Sequence, residues 1–311
     1  RVVPATRAGF REWLAGLDAE GAVFATEGCT GWRFVVEELQ RAGATAHLAE
    51  PADTATLRGR KKRAKTDRAD ARHLRSLLVE DRLPESWIPP AHVLEVRSTG
   101  RVYVAVMNQR RAWQQRIQAQ LFHQGVAKRT GLLTAAGRAH LHDAELSAAG
   151  RQMVEVALRI IDALGAEADL LRDELKDFAR RQPGCRALVD GLYGVGELTA
   201  AVIWAEMGDT RRFSSSDQAV RHSGLDITVY ESDGKRSPGR LSRQGPPALR
   251  WALFEAALPA ARSGSPDHRY FLDTAERVGA KRAYLSVARK LARRVHHTLR
   301  GLGDTAWQPI T

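Results

Sequence analysis

Residues 188–245 read LVDGLYGVGELTAAVIWAEMGDTRRFSSSDQAVRHSGLDITVYESDGKRSPGRLSRQG, and the rest of the chain is organised around them. The stretch opens on a Gly-containing turn, Leu192-Tyr193-Gly194-Val195-Gly196, that leads into an apolar segment, Leu198 to Met207. A basic loop with a phenylalanine follows at Arg211-Arg212-Phe213. The stretch closes on Ser232 to Gly245, with glycines at 234, 239 and 245, a proline at 238 and cations at 235, 236, 240 and 243. No hydrophobic period survives there, which predicts a mobile or ligand-ordered loop.

The turn and the apolar segment have the pattern of a helix-hairpin-helix element. Gly194 and Gly196, two apart, let the backbone turn tightly and approach another chain. Amides there and at the start of the next helix are placed to receive a phosphate oxygen. A structural turn before a buried helix explains the same residues equally well. In the closing loop Ser232 stands among Lys235, Arg236, Arg240 and Arg243. A serine in such a loop is ordinarily a solvated turn residue. It acts as a nucleophile when its proton can leave and cations hold a phosphate beside it.

The chain has 311 residues, 43% of them hydrophobic, enough for two or three parts with real cores. Its net charge of +12 and pI near 10.3 point to a polyanionic partner, nucleic acid before an anionic membrane surface. No apolar run is long enough to span a bilayer, and no secretory signal opens the sequence. Cys29 and Cys185 form neither a disulfide framework nor a metal knuckle, which suits a reducing cytoplasm.

The first 83 residues alternate. Helical patterns at Phe10–Leu17 and Trp32–Ala42 are interleaved with strand patterns at Ala22–Ala25 and Thr45–Leu48. A basic run at 58–65, with Lys61, Lys62 and Lys65 in it, precedes a helix over Asp67–Val79. The alternation predicts an α/β layer with a partly parallel sheet, too few strands being present for a closed domain. The first residues read like the end of a strand, so the natural protein is expected to extend further N-terminally. After a proline linker at 84–90 the chain becomes mainly α. A long basic helix is expected over 96–122, a break over 125–137, and a second long helix over 152–180. Its apolar positions Val154, Leu158, Ile161, Leu164, Ala168, Leu171, Leu175 and Phe178 make a coiled-coil-like seam. Such a seam serves an intramolecular hairpin or a dimer contact, the first being simpler. The third part, 186–300, is mainly helical, with long helices over 246–261 and 282–299.

Asp67 and Asp70, in Lys65-Thr66-Asp67-Arg68-Ala69-Asp70-Ala71, share one face of a helix. Spacing alone favours the simpler reading, with Thr66 or Asp67 as N-cap and Asp70 in the first turn. The other reading is a pair of oxygen ligands for a hard divalent ion such as Mg²⁺. Glu27 adds to the second, because it ends a short strand just before Gly28, where a carboxylate reaches a site.

Together, Glu27-Gly28-Cys29-Thr30-Gly31-Trp32, the 65–71 run, Gly194-Val195-Gly196 with Thr199-Ala200, Gly208-Asp209 and Phe213, and Ser232-Asp233-Gly234-Lys235 with Gly239-Arg240 resemble the transposases of the insertion-sequence "one-ten" family, also called DEDD transposases. The resemblance spans nearly the whole chain. It implies a RuvC-like (RNase H-like) N-terminal domain at 1–83 lacking its first strands, a helical coiled-coil middle at 91–182 and a C-terminal transposase domain at 186–300. It further implies Mg²⁺ held by Glu27, Asp67 and Asp70 as second, third and fourth acids, the first lying on a strand this sequence does not contain. Ser232 is the implied nucleophile, giving a phosphoserine-linked DNA strand that is later rejoined. Lys61, Lys62, Lys65, Arg68, Gly194, Gly196, Lys235, Arg236, Arg240 and Arg243 are the residues expected to touch nucleic acid. The implied partners are donor and target DNA, a structured guide ("bridge") RNA, and further copies of the chain in a dimer or tetramer. A site-specific DNA invertase is a near alternative. A non-catalytic nucleic-acid-binding protein, or a junction nuclease using metal-activated water, would use the same scaffold without the serine.

Overall fold

A computed structural model describes residues 2–58, 66–228, 230–232, 235–237 and 239–310, with the backbone alone described at 230–232 and 235–237. The chain divides into two compact units, Arg1–Pro89 and Pro90–Thr311.

The first unit is a small α/β layer. Its elements run α1 (Arg7–Ala15), β1 (Val23–Glu27), α2 (Trp32–Arg41), β2 (Thr45–Ala49), α3 (Pro51–Thr56) and α4 (Asp67–Val79). The two strands pair in parallel, Val23 opposite Thr45 through Glu27 opposite Ala49, with α2 as the crossover. Alternate side chains go to opposite faces. Phe24 and Ala46 join Leu14, Ala19, Leu39 and Ala44 in a core under α1 and α2, while Ala25, Glu27 and His47 turn toward α4. Glu38 is 1% exposed in this core. Arg11 holds it at 2.6 Å, with Arg41 at 2.5 Å and Arg7 at 2.8 Å, and these guanidiniums keep its carboxyl well below the usual carboxylate range. The expected parallel pair and its flanking helices are present.

Among the described residues the regular structure of the second unit is helical but for one hairpin. It runs α5 (Ala91–His123), α6 (Ala135–Asp143), α7 (Ala148–Arg181), α8 (Pro183–Gly191), α9 (Glu197–Met207), α10 (Ser216–His222), β3 (Tyr230–Ser232), β4 (Lys235–Ser237), α11 (Pro247–Ala260), α12 (His268–Val278) and α13 (Ala280–Leu302). The seam on α7 is filled intramolecularly. Val154, Ile161, Ala168 and Leu175, seven apart, are buried, and α7 packs along α5. Thr99 reaches Glu174 and Gln124 reaches Ser147, so the two helices run antiparallel. The expected break at 125–137 is shorter than anticipated, because Thr134 accepts from Gly137 N–H and starts α6 there.

The apolar segment after the glycine turn is α9, in which every residue from Ala200 to Met207 is buried. A helix hydrophobic all round belongs at the centre of a core. Its C-terminal carbonyls still need donors. Arg97 donates twice to Ala205 O (3.0 and 2.8 Å), Arg212 to Met207 O (3.0 Å), and His222 Nε2 lies 3.2 Å from Glu206 O. The buried Glu206 carboxylate accepts from both donors of one guanidinium edge of Arg101, Nε at 2.6 Å and Nη2 at 2.9 Å. The stretch after α13 closes this core. Trp307 stacks on Trp204 at 5.1 Å, and Trp204 Nε1 donates to Ala306 O.

Candidate active site

The chemistry-bearing residues gather in two places, one in each unit. In the first, a cavity of about 940 Å³ lies between the β1–β2 face and α4. Glu27 reaches it from the end of β1, and Asp67 and Asp70 from the first turn of α4. Thr66 is the helix cap, its hydroxyl accepting from Ala69 N–H at 3.2 Å. Capping therefore does not occupy either aspartate, and both carboxylates are left to face the cavity. Asp70 Oδ1 is buried, and Arg58 Nη1 approaches it to 2.5 Å without the angle of a hydrogen bond. A carboxylate oxygen held this way is satisfied by charge alone.

These are the oxygen donors that a hard divalent cation prefers. The donor chemistry fits Mg²⁺, with Arg58 supplying the positive charge that Asp70 faces. Among the described residues, no three His, Cys, Asp or Glu side chains are drawn together closely enough to hold a metal ion. Arg68 is exposed on α4, while Lys61, Lys62 and Lys65 lie outside the described residues. Sequence reasoning missed His47 and Glu85, which share the cavity wall with the carboxylates, His47 Nδ1 lying 2.7 Å from Glu85 Oε1. His47 stood in a strand already recognised. Two residues before Glu27's level on the neighbouring strand is a position that parallel pairing alone brings to the same face.

The second place corrects an expectation. Residues 232–245 are not structureless, for β3 and β4 form an antiparallel hairpin in which Ser232 pairs with Lys235 and Tyr230 with Ser237. Below it Ile227 bridges Leu241, Thr228 N–H donates to Arg240 O at 2.9 Å, and the Ser242 hydroxyl donates to the Asp226 carboxylate. Two signals were present in the sequence: the β-prone Ile227-Thr228-Val229-Tyr230, and an Asp-Gly dipeptide between the paired residues, the strongest short hairpin signature. Asp233 and Gly234 lie outside the described residues, as do the side chains of Ser232, Lys235 and Arg236. At the hairpin root Arg243 has φ +56, in the left-handed region, and Arg250 donates to Ser223 O and Gly245 O at 3.3 and 3.4 Å. Burial, then the charge of Arg243, lowers the pKa of Arg250. Arg240 and Arg243 are exposed beside this root.

The glycine turn joins α8 to α9. Gly194 has φ +94, and a Cβ there would stand 2.4 Å from Ala256 O on α11. Gly196 is exposed, with its amide engaged by the Thr199 hydroxyl at 3.0 Å. Packing against α11 thus accounts for Gly194 by itself. The basic run from Arg289 to Arg300 on α13 is also spent internally. Arg289 donates to Leu225 O, Lys290 and Arg294 pair with the buried Asp267, Arg293 pairs with Asp217, and Arg300 donates to Phe213 O. Among the described residues no helix is long and apolar enough to cross a membrane.

Comparison with known proteins bears on the second unit. Residues 186–272 match the model of the family described as "Transposase IS116/IS110/IS902 family". That segment runs from within α8 into α12, with the hairpin inside it. In an alignment 245 residues long that covers 70% of this chain, the protein is 31% identical to "Putative transposase y4rJ" of Sinorhizobium fredii. The chain spans 60% of that relative's length.

Proposed function

We infer, from the transposase domain at 186–272, that the whole protein is the transposase of an insertion sequence, cutting and rejoining DNA with Ser232 as nucleophile and Mg²⁺ held by Glu27, Asp67 and Asp70. The observation that supports the reading is that those three carboxylates, from a strand end and a helix start 40 residues apart in sequence, line one cavity. A helix cap would not need Glu27, and a surface turn would not need Asp70.

In the reaction the serine oxygen attacks a backbone phosphorus. A new P–O bond forms to the protein as the P–O bond to the neighbouring sugar breaks, so one DNA strand is joined to the chain and a sugar hydroxyl is released. The reverse attack by a sugar hydroxyl rejoins DNA and frees the serine. Lys235, Arg236, Arg240 and Arg243 neutralise the phosphate that is attacked. Bound Mg²⁺ would supply Lewis-acid stabilisation of phosphate charge. The hairpin gives the serine a fixed backbone, with its pairing partner Lys235 directly across the ladder. A guide RNA pairing with donor and target, a RuvC-like ancestry for the first unit and an oligomeric active form complete the proposal. A site-specific invertase would run the same steps on inverted sites.

The experiment is to incubate the full-length protein with labelled DNA of its own element and Mg²⁺, then denature. Wild type gives a slower, denaturant-resistant protein–DNA band. Ser232→Ala binds the DNA and gives none. An Ala variant that still forms the band overturns the serine assignment.

A further inference from the structure

The root of the β3–β4 hairpin holds an arginine that the fold leaves without a counter-ion. Arg250 stands near the start of α11, and its guanidinium reaches that root. Its two hydrogen bonds go from Nη1 to carbonyls, Ser223 O at 3.3 Å and Gly245 O at 3.4 Å, both longer than the usual N–H···O range. The residue is intermediate in burial. Among the described residues neither Arg250 nor Arg243 has a carboxylate partner. Asp226, the acid at the root, already takes the Ser242 hydroxyl, and Arg289 donates to the adjacent Leu225 O at 2.6 Å.

Backbone geometry brings Arg243 to the same spot. Its φ of +56 is a left-handed conformation that costs a residue with a side chain and persists where the surroundings impose it. Its N–H donates to Gly224 O at 3.2 Å. Gly224 has φ +66, and a Cβ there would stand 2.6 Å from Arg250 Nη1, 2.8 Å from Gly245 N and 3.1 Å from the Arg243 carbonyl carbon. Bare backbone at Gly224 thus lets the Arg250 guanidinium lie against the chain that carries Arg243. The two charges are close enough that Arg243, after burial, lowers the pKa of Arg250. The helix start adds to this. α11 begins on Pro246 and Pro247, with no side-chain cap and no acid in its first turn. Its positive end reinforces the charge of Arg250 where an acid would ordinarily offset it. Such a combination favours a phosphate oxygen.

We propose that Arg243 and Arg250 form a clamp at the hairpin root that holds one backbone phosphate of DNA, Arg250 from the half-buried side and Arg243 from the solvent side. The choice of DNA as the polyanion rests on the transposase reading above, while the clamp itself lies within the second unit. A guanidinium presents paired N–H donors in one plane, which matches two oxygens of a phosphate. With the phosphate in place Arg250 gains the counter-charge it lacks in the free protein, and the repulsion between the two arginines is offset by the anion they share.

The test measures the affinity of the full-length protein for a labelled duplex carrying the DNA that flanks its own coding sequence, between about 50 and 200 mM salt. Arg250→Gln keeps a donor for the two carbonyls and is expected to lower the slope of log affinity against log salt by about 1, as for the loss of one phosphate contact. Arg243→Ala is expected to do the same, and the double variant to lose about 1 rather than about 2, because both residues serve one phosphate. Arg250→Lys keeps the charge without the planar fork and is expected to keep the slope at a weaker affinity. Thermal melts accompany each variant. In parallel, inorganic phosphate is titrated into the free protein at constant ionic strength while arginine Nε resonances are followed by ¹⁵N NMR. Saturable shifts of Arg243 and Arg250 are expected in wild type, and the loss of the Arg250 shift in Arg243→Ala. An Arg250→Gln protein that melts lower yet keeps the wild-type slope overturns the proposal, Arg250 then bracing the backbone alone. So does a wild-type Arg250 that phosphate leaves unshifted, a readout that needs no variant to fold. A double variant that loses about 2 overturns the shared phosphate. A loss seen with an RNA duplex of the same sequence but not with DNA overturns the choice of DNA. The two readings fail separately. If wild type forms the covalent band and every slope is unchanged, the clamp falls and the transposase reading stands. If wild type cuts nothing while slopes and shifts behave as expected, the transposase reading falls and the clamp stands as a DNA-binding site.

Discussion

At the scale of single residues, Asp67 and Asp70 separate stability from chemistry. Thr66 carries the capping of α4, so its loss and theirs have different consequences. Thr66→Ala is expected to cost about 1 kcal/mol of stability. Asp67→Asn and Asp70→Asn should melt close to wild type while losing Mg²⁺-dependent strand cleavage. Wild-type cleavage by both Asn variants would end the metal-site proposal. His222 gives a pH prediction. Burial, then the charge of Arg212, lowers its pKa from 6.5 to about 4, against the raising effect of Glu206 O. The folded state therefore binds fewer protons than the unfolded one. This stabilisation is fully present above about pH 6.5 and is lost as pH falls through about 4, amounting to about 3 kcal/mol. Thermal melts at pH 7 and pH 4 measure it, and His222→Gln should flatten that part of the profile. Glu27 was legible in the sequence as a strand-end carboxylate. His47 was not, since a histidine in a strand has no signature until its neighbour is known.

At the scale of elements, the turn between α8 and α9 tests what its glycines are for. Gly194 combines φ +94 with a site where a Cβ would meet Ala256 O at 2.4 Å. Gly194→Ala is expected to cost about 2 kcal/mol or more, from backbone strain and from pushing α11 away. Differential scanning calorimetry reads that directly. A variant as stable as wild type would mean that α11 yields. The amphipathic helices were legible because a period of three to four survives in their residues, and α9 because nearly all of its residues are apolar. The hairpin was misread because its glycines and cations were weighed as loop signals, while the β-branched run on one side and the Asp-Gly dipeptide were not.

At the scale of the whole molecule, the charge of +12 does not mark where nucleic acid binds. The cations of α13 from Arg289 to Arg300 are tied to carbonyls and to Asp217 and Asp267 within the second unit. Arg289→Ala should therefore lower the melting temperature and leave the salt dependence of DNA affinity unchanged. Arg240→Ala and Arg243→Ala, exposed at the hairpin root, should each reduce the slope of log affinity against log salt by about 1. Titrations at several salt concentrations measure these slopes, and a steeper loss for Arg289→Ala would reverse the assignment. The sequence by itself determined the amphipathic helices and the paired strands of the first unit, and it raised Glu27, Asp67, Asp70 and a polyanionic partner as expectations, because hydrophobic period, strand-end position and net charge are properties of a linear chain. Only the tertiary structure decided which cations are spent on the fold, which glycine is packed against α11, and that His47 and Glu85 join the carboxylates. Burial, hydrogen-bond satisfaction and strand register exist only once distant segments are brought together.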